Sequence, residues 1–321
     1  MDLEPNELQI ELSAAVKRLC EGRFPMEIVR AHMESGTLDR GRWRELGDAG
    51  VFSLRLSEAS GGVGLGMADT GVVFQELGRA LVPGPLVATH LAAGLVEGAA
   101  SGEAIVGLIE RGHGPLLVEH LDSIDVLLVL DADGVSQVDA RTIAGRRVER
   151  PLDASTPLTA VDALPVGTPV GDAEVAARLR RDGACLTAAL LVGIAQAATT
   201  LATEYAKQRE QFGRPIGSFQ AVKHLLADML ARSEVARAAV DAACATIDHP
   251  EVGSVDRAVS SAKVLATEAG LLNGKSGIQV HGGMGFTWEV DAQLFLKRSW
   301  VLDTHFGSLD THAEALASMT R

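Results

Sequence analysis

The chain has 321 residues, 47% of them hydrophobic. That is more apolar material than one small core needs, and it argues for two or three subdomains and against wholesale disorder. Its 42 acidic and 29 basic side chains leave a net charge of −13 with no basic run, which excludes a nucleic-acid footprint. The three cysteines, Cys20, Cys185 and Cys244, stand far apart without a CxxC pair. Such spacing speaks against a disulfide framework or a cysteine zinc site and fits a reducing cytoplasm.

The first residues, MDLEPNELQIEL, are acidic and amphipathic and lack the basic-then-apolar layout of a signal peptide. A helix is expected over 6–35, where Leu8, Ile10, Leu12, Val16 and Leu19 recur at roughly helical spacing. A short helix follows over 41–48 and ends near Gly47 and Gly50. The glycine-rich stretch 57–66 reads as a loop. Residues 68–81 are periodic again, with Asp69 or Thr70 as a helix cap, and Pro83 and Pro85 stop that helix.

At about residue 103 the pattern changes. Runs at 104–109, 115–119, 124–130 and 135–139 are short and β-prone, and 145–166 continues as short strands and turns. From about 172 the helical period returns. Helices are expected over 173–211, 218–248, 254–279 and 289–304, with a last one after Ser308. The most apolar run, 184–200, is short for a membrane span and carries Gln196, so it reads as a buried core helix with no membrane partner. The expected fold is mainly α with a small β domain, divided as 1–102, 103–171 and 172–321.

The segment 207–229, KQREQFGRPIGSFQAVKHLLADM, resembles the signature R-x-Q-F-G-x-P-I-x-x-F-Q of the acyl-CoA dehydrogenase family. QVHGGMG at 279–285 is similar to that family's Gln-x-x-Gly-Gly-x-Gly. WRELGDAGVFSL, SEASGGVG and FQELGRAL, at 43–54, 57–64 and 74–81, fit the family in the same order. The resemblance covers nearly the whole chain. It implies an N-terminal α-helical domain, a β-barrel-like middle domain and a C-terminal four-helix bundle.

On the residues alone, Gly213 and Pro215 end the helix carrying Tyr205 and Arg209, so Arg209, Gln211 and Phe212 share an exposed corner. The planar guanidinium of Arg209 suits a pyrophosphate, and the Phe212 ring suits an adenosine face. At Gly282, Gly283 and Gly285 a backbone can approach a phosphate closely, and Gln279 can bond an adenine or phosphate edge. The resemblance implies that these positions grip the ADP half of an FAD bound mainly to a neighbouring subunit.

The family's chemistry also needs a carboxylate base in a dry pocket. In the common pattern a Glu follows an arginine near the chain end. Counted from Arg298, that place falls on Gly307. In a minority pattern the Glu lies on the first helix of the C-terminal bundle, here at Gly183 or Ala184. Asp182 is adjacent but turned about a quarter-turn away, and is expected to be a solvated helix residue. Asp303, Asp310 and His305 flank the first place. Between 85 and 170 the family's Thr-Glu-Pro and Gly-Ser-Asp stretches are not found, and Thr156 stands where an arginine is usual. The β unit is expected to be shortened.

These absences resemble the degenerate subunit of actinobacterial α2β2 acyl-CoA dehydrogenases of steroid catabolism. The resemblance implies a catalytic partner subunit carrying most of the FAD and the acyl-CoA, formation of a 2,3-enoyl-CoA, and reoxidation by an electron-transfer flavoprotein. No catalytic residue is expected in this chain. The alternatives are a self-sufficient homomer with Asp182 or Asp303 as displaced base, and a flavin-free structural paralogue. GLLNGKS at 270–276 fails the P-loop spacing because residue 269 is alanine. GGVGLG at 61–66 follows no strand, and the nine histidines form no metal motif.

Overall fold

A computed structural model describes residues 4–112 and 114–319. Five helices come first: α1 (Glu7–Arg23), α2 (Met26–Ser35), α3 (Arg40–Asp48), α4 (Met67–Arg79) and α5 (Leu86–Ala92). Seven strands follow: β1 (Val106–Glu110), β2 (Leu116–Glu119), β3 (Val126–Leu130), β4 (Gly134–Asp139), β5 (Arg146–Arg147), β6 (Leu158–Val161) and β7 (Thr168–Asp172). The long helix α6 (Ala173–Gln208) leads into a two-residue hairpin, β8 (Glu210–Gln211) and β9 (Arg214–Pro215). Helices α7 (Gln220–Asp248), α8 (Val255–His281), α9 (Ala292–Asp303) and α10 (Leu309–Ser318) complete the chain.

These elements fold into two compact units, each built from separated stretches. One comprises Gly22–Gly66 and Val82–Gly183. Its larger sheet has the order β1-β3-β4-β7, with β1 and β3 parallel and the other pairs antiparallel. The central strand β3, VLLVL, is almost entirely buried. An uninterrupted apolar run is what a strand covered on both faces requires. A second, antiparallel sheet has the order β2-β6-β5. Ahead of β6, buried Asp153 accepts hydrogen bonds from Ser155 and from the Thr156 hydroxyl, so Thr156 serves a local turn.

The other unit contains the stretch ending at Glu21, Met67–Leu81 and the stretch from Ala184. Here α8 packs against α7, α9 and α10, and α4 packs against α7. Helices α4 and α6 approach closely at Gly78 and Gly193. A Cβ at either glycine would collide with the carbonyl oxygen of Leu190 or Gln75. Asn273 joins three helices: its amide nitrogen lies near Ala195 O, Thr199 Oγ1, Met229 O and Ser233 Oγ, and its oxygen accepts from Arg232 Nε at 2.9 Å. Such a satisfied polar hub fixes helix register. The run 270–276 lies inside α8, as a core segment and not a phosphate loop.

The mainly helical fold with a small β portion is as expected, with local corrections. The helix over 6–35 is two helices, broken at Phe24-Pro25 because proline lacks the amide a continuing helix needs. The helix expected to 211 stops at Gln208, and a hairpin replaces a direct helix–turn–helix. Helix α4 starts at Met67, and its cap is neither Asp69 nor Thr70. The Asp248 carboxylate accepts from Met67 N at 2.7 Å and Ala68 N at 2.9 Å. The apolar run in α6 is a core segment: the helix has the length and hydropathy of a membrane span, but 78% of its most apolar window is buried within the protein.

Candidate cofactor-binding site

The last turn of α6 carries Tyr205. Arg209 N donates to Tyr205 O at 2.8 Å, and Ile216 N donates to Arg209 O at 2.7 Å, closing the β8–β9 hairpin. Its two turn residues, Phe212 and Gly213, have φ of 55° and 76°. Positive φ at both positions is the mirror-image turn that matches strand twist. Glycine accepts it freely, whereas phenylalanine is strained there by about 1–3 kcal/mol. The strained Phe212 is nonetheless 91% exposed. Its ring meets Phe219 edge-on at 6.1 Å, and Arg214 lies 4.1 Å over the Phe219 face. Arg209 and Gln211 are exposed beside it. Among the described residues Arg209 has no ion-pair partner.

The second motif ends α8. Gln279 is exposed on the last turn, and Gly282 N donates to its carbonyl. Gly282 has φ of 64°, and a Cβ at Gly282 or Gly283 would meet no protein atom within 4 Å. This backbone is open to close approach by a ligand. Gly285 differs: it is buried, and a Cβ there would lie 2.6 Å from Ile278 O, so it is a packing glycine. The two motifs are neighbours because Tyr205 stacks on His281, with ring centroids 4.2 Å apart. His281 Nδ1 is in turn 2.7 Å from Gly277 O. The fold therefore brings the Arg209–Phe212 hairpin and the 279–283 turn to one corner. Sequence reasoning missed the Tyr205–His281 stack, which joins residues on two helices far apart in the chain. It also passed over exposed Phe286 and Trp288 next to the second motif, with Lys297 Nζ 4.4 Å over the Trp288 ring.

The place of the common base is closed. Gly307 has φ of 94°, and a Cβ there would lie 2.8 Å from His312 Nε2. His312 is fixed by Ser260 Oγ and Phe306 O. Buried Lys263 clamps the same turn, donating to Leu302 O, Asp303 O and Gly307 O at 3.3, 2.9 and 2.9 Å. Burial pushes this lysine down to about 8 from its ordinary 10.5, partly offset by the Asp303 charge. Asp303 accepts from Leu309 N at 2.8 Å, helping to start α10. Asp310 is exposed on the first turn of α10.

Asp182 is not the solvated residue expected. Its side chain is 4% exposed and paired with Arg55 Nη1 at 2.7 Å and Arg181 Nε at 3.1 Å. Arg55 lies far away in sequence, so nothing local announces the pair. A carboxylate buried this deeply is stable only with such partners. Arg209, Gln211, Phe212, Gln279, Gly282 and Gly283 thus share a corner, whereas Asp182 and Asp303 are each committed elsewhere.

Two family models match the chain: the acyl-CoA dehydrogenase N-terminal domain over residues 6–103 and the acyl-CoA dehydrogenase C-terminal domain over 175–319. The acyl-CoA dehydrogenase IpdE2 of Mycolicibacterium smegmatis is 35% identical over 297 residues, covering 90% of this chain and 91% of that protein. The chain belongs to the acyl-CoA dehydrogenase family. Among solved structures, the ChsE4-ChsE5 complex from Mycobacterium tuberculosis contains a chain that superposes with a TM-score of 0.84 at 23% identity, covering 100% of this chain and 99% of that one. A Tcur3481-Tcur3483 steroid acyl-CoA dehydrogenase variant superposes with a TM-score of 0.82 at 24% identity, with 97% of each chain covered.

Proposed function

We propose that this chain is the non-catalytic subunit of a heteromeric, FAD-dependent acyl-CoA dehydrogenase, an α2β2 heterotetramer acting in the cytoplasm on a steroid-derived acyl-CoA. The division 1–102, 103–171 and 172–321 would then match the three domains of the family. One contrast carries the reading. An exposed corner suited to a dinucleotide is intact, and the position of the common base is filled by a glycine in a turn that a carboxylate side chain does not fit.

The residues at the corner fit the ADP half of FAD. The Arg209 guanidinium, with no ion-pair partner among the described residues, offers two parallel donors to a pyrophosphate. Phe212 presents its ring to an adenosine face at a cost in backbone strain. The Gln279 amide reaches an adenine or phosphate edge, and Gly282 and Gly283 admit phosphate oxygens to backbone distance. A flavin bound there supplies the two-electron acceptor for conversion of an acyl-CoA into its 2,3-enoyl-CoA. The acyl thioester and the base that removes its α-proton belong to the partner subunit, and an electron-transfer flavoprotein takes the electrons onward.

Two of the similar structures are of paired, differently named chains, and one is described as a steroid enzyme, which supports both the heteromer and the substrate class. The commitment of Asp182 to two arginines and of Asp303 to Leu309 N supports a shared arrangement over a self-sufficient homomer. The test is turnover of steroid-derived acyl-CoA by this chain alone, by a full-length partner alone and by the two co-expressed. Turnover by the pair and none by this chain is expected. Turnover by this chain unaided would overturn the proposal.

A further inference from the structure

The unit formed by Gly22–Gly66 and Val82–Gly183 holds a cavity of about 120 Å³. Its lining includes the apolar side chains of Phe52, Leu56, Leu91 and Leu179. The lining also carries charge, from Arg55, Asp182 and exposed Arg178.

The charges do not cancel. Asp182 is shared by Arg55 and Arg181, and Arg178 has no carboxylate partner among the described residues. His90, also in the lining, adds no charge. Burial holds it down at about 4, although the Val51 carbonyl at 3.0 Å favours its protonated form. Two guanidiniums, Arg55 and Arg178, therefore line the cavity against one carboxylate, which Arg181 also pairs, in a protein whose net charge is −13. Arg55 gives one N–H to Asp182 and, of the five donors a guanidinium carries, has others left over.

The geometry points to a binding site for a short aliphatic carboxylate, its oxygens held between Arg55 and Arg178 and its carbons against Phe52, Leu56, Leu91 and Leu179. The volume, equal to about four waters, suits a chain of roughly four carbons. Paired guanidinium donors favour a planar carboxylate, and the apolar lining favours a hydrocarbon tail over a fully hydrated anion. The site lies wholly within one unit, and its test does not depend on flavin loading.

The test is saturation-transfer NMR and isothermal titration on the full chain with butyrate, neutral butyramide and inorganic phosphate. Butyrate is expected to bind and butyramide is not. Arg178→Gln, a change at an exposed residue, is expected to weaken butyrate about tenfold, the usual effect of losing one charge-assisted contact. Ala93→Leu, which adds carbons at the cavity lining, is expected to abolish binding while the fold, checked by circular dichroism, persists. Butyrate failing to bind at millimolar concentration, butyramide binding equally, or wild-type affinity in either variant would overturn the site. Phosphate binding as tightly as butyrate would overturn the role of the apolar lining.

Discussion

Replacing Arg209 by alanine removes the guanidinium assigned to the flavin pyrophosphate. Arg209 is exposed and has no ion pair among the described residues, so truncation leaves no buried partner behind. The unfolding free energy of the isolated chain should stay within about 0.5 kcal/mol of wild type, as for surface changes in general. The loss falls on the cofactor instead. A hydrogen bond to a charged group is worth about 1.5–3 kcal/mol, which converts to a roughly tenfold to hundredfold weaker flavin. The assay is flavin fluorescence during reconstitution of the stripped complex, with the 450 nm to 280 nm absorbance ratio of the purified complex as a second readout. Arg209→Lys keeps the charge without the planar fork and should fall between the two. Unchanged flavin affinity in Arg209→Ala would refute the reasoning.

Phe212→Gly relieves the strain at φ 55° and should raise the stability of the chain by roughly 1 kcal/mol or less in urea titrations, while flavin affinity in the complex falls. Gly307→Glu should not restore dehydrogenation, because φ of 94° and His312 Nε2 at 2.8 Å from a Cβ leave no room. It should instead destabilise the chain by about 1–3 kcal/mol, read from thermal unfolding. Lys263 sets a pH dependence. Its folded-state value is lowered from 10.5 to about 8, so between those values the unfolded chain binds more protons and stability rises with pH. The full penalty, about 3 kcal/mol at 1.36 kcal/mol per unit, is present below pH 8 and is progressively relieved toward 10.5. Lys263→Met should flatten that slope in urea titrations across this range; an unchanged slope would assign it to other groups.

The hairpin motif was legible because its residues are contiguous: Arg209 to Gln220 form one uninterrupted signature. Its backbone was not, because a phenylalanine at positive φ runs against local preference. Helix periodicity found most helices of the C-terminal half, including the last, expected after Ser308, which the structure shows as its cap, accepting from Thr311 N. Helix α5 escaped because seven residues hold too little of a 3.6-residue period. The remaining misses are non-local. Asp248 caps α4 from 181 residues away, and Arg55 buries Asp182 from 127 residues away. Tyr205 and His281 meet only once two helices are packed. Pro25 is the exception: the break it causes was written in the sequence, and the periodicity of the flanking residues outweighed it.

The most direct measurement is the number of flavins per pair of chains when this chain is purified with the proposed catalytic partner, from flavin absorbance against protein mass. A cofactor clamped by this chain, where the chain provides no proton acceptor of its own, gives one flavin per heterodimer and a colourless protein when it is purified alone. Two flavins per heterodimer, or a yellow and active single chain, would contradict the account.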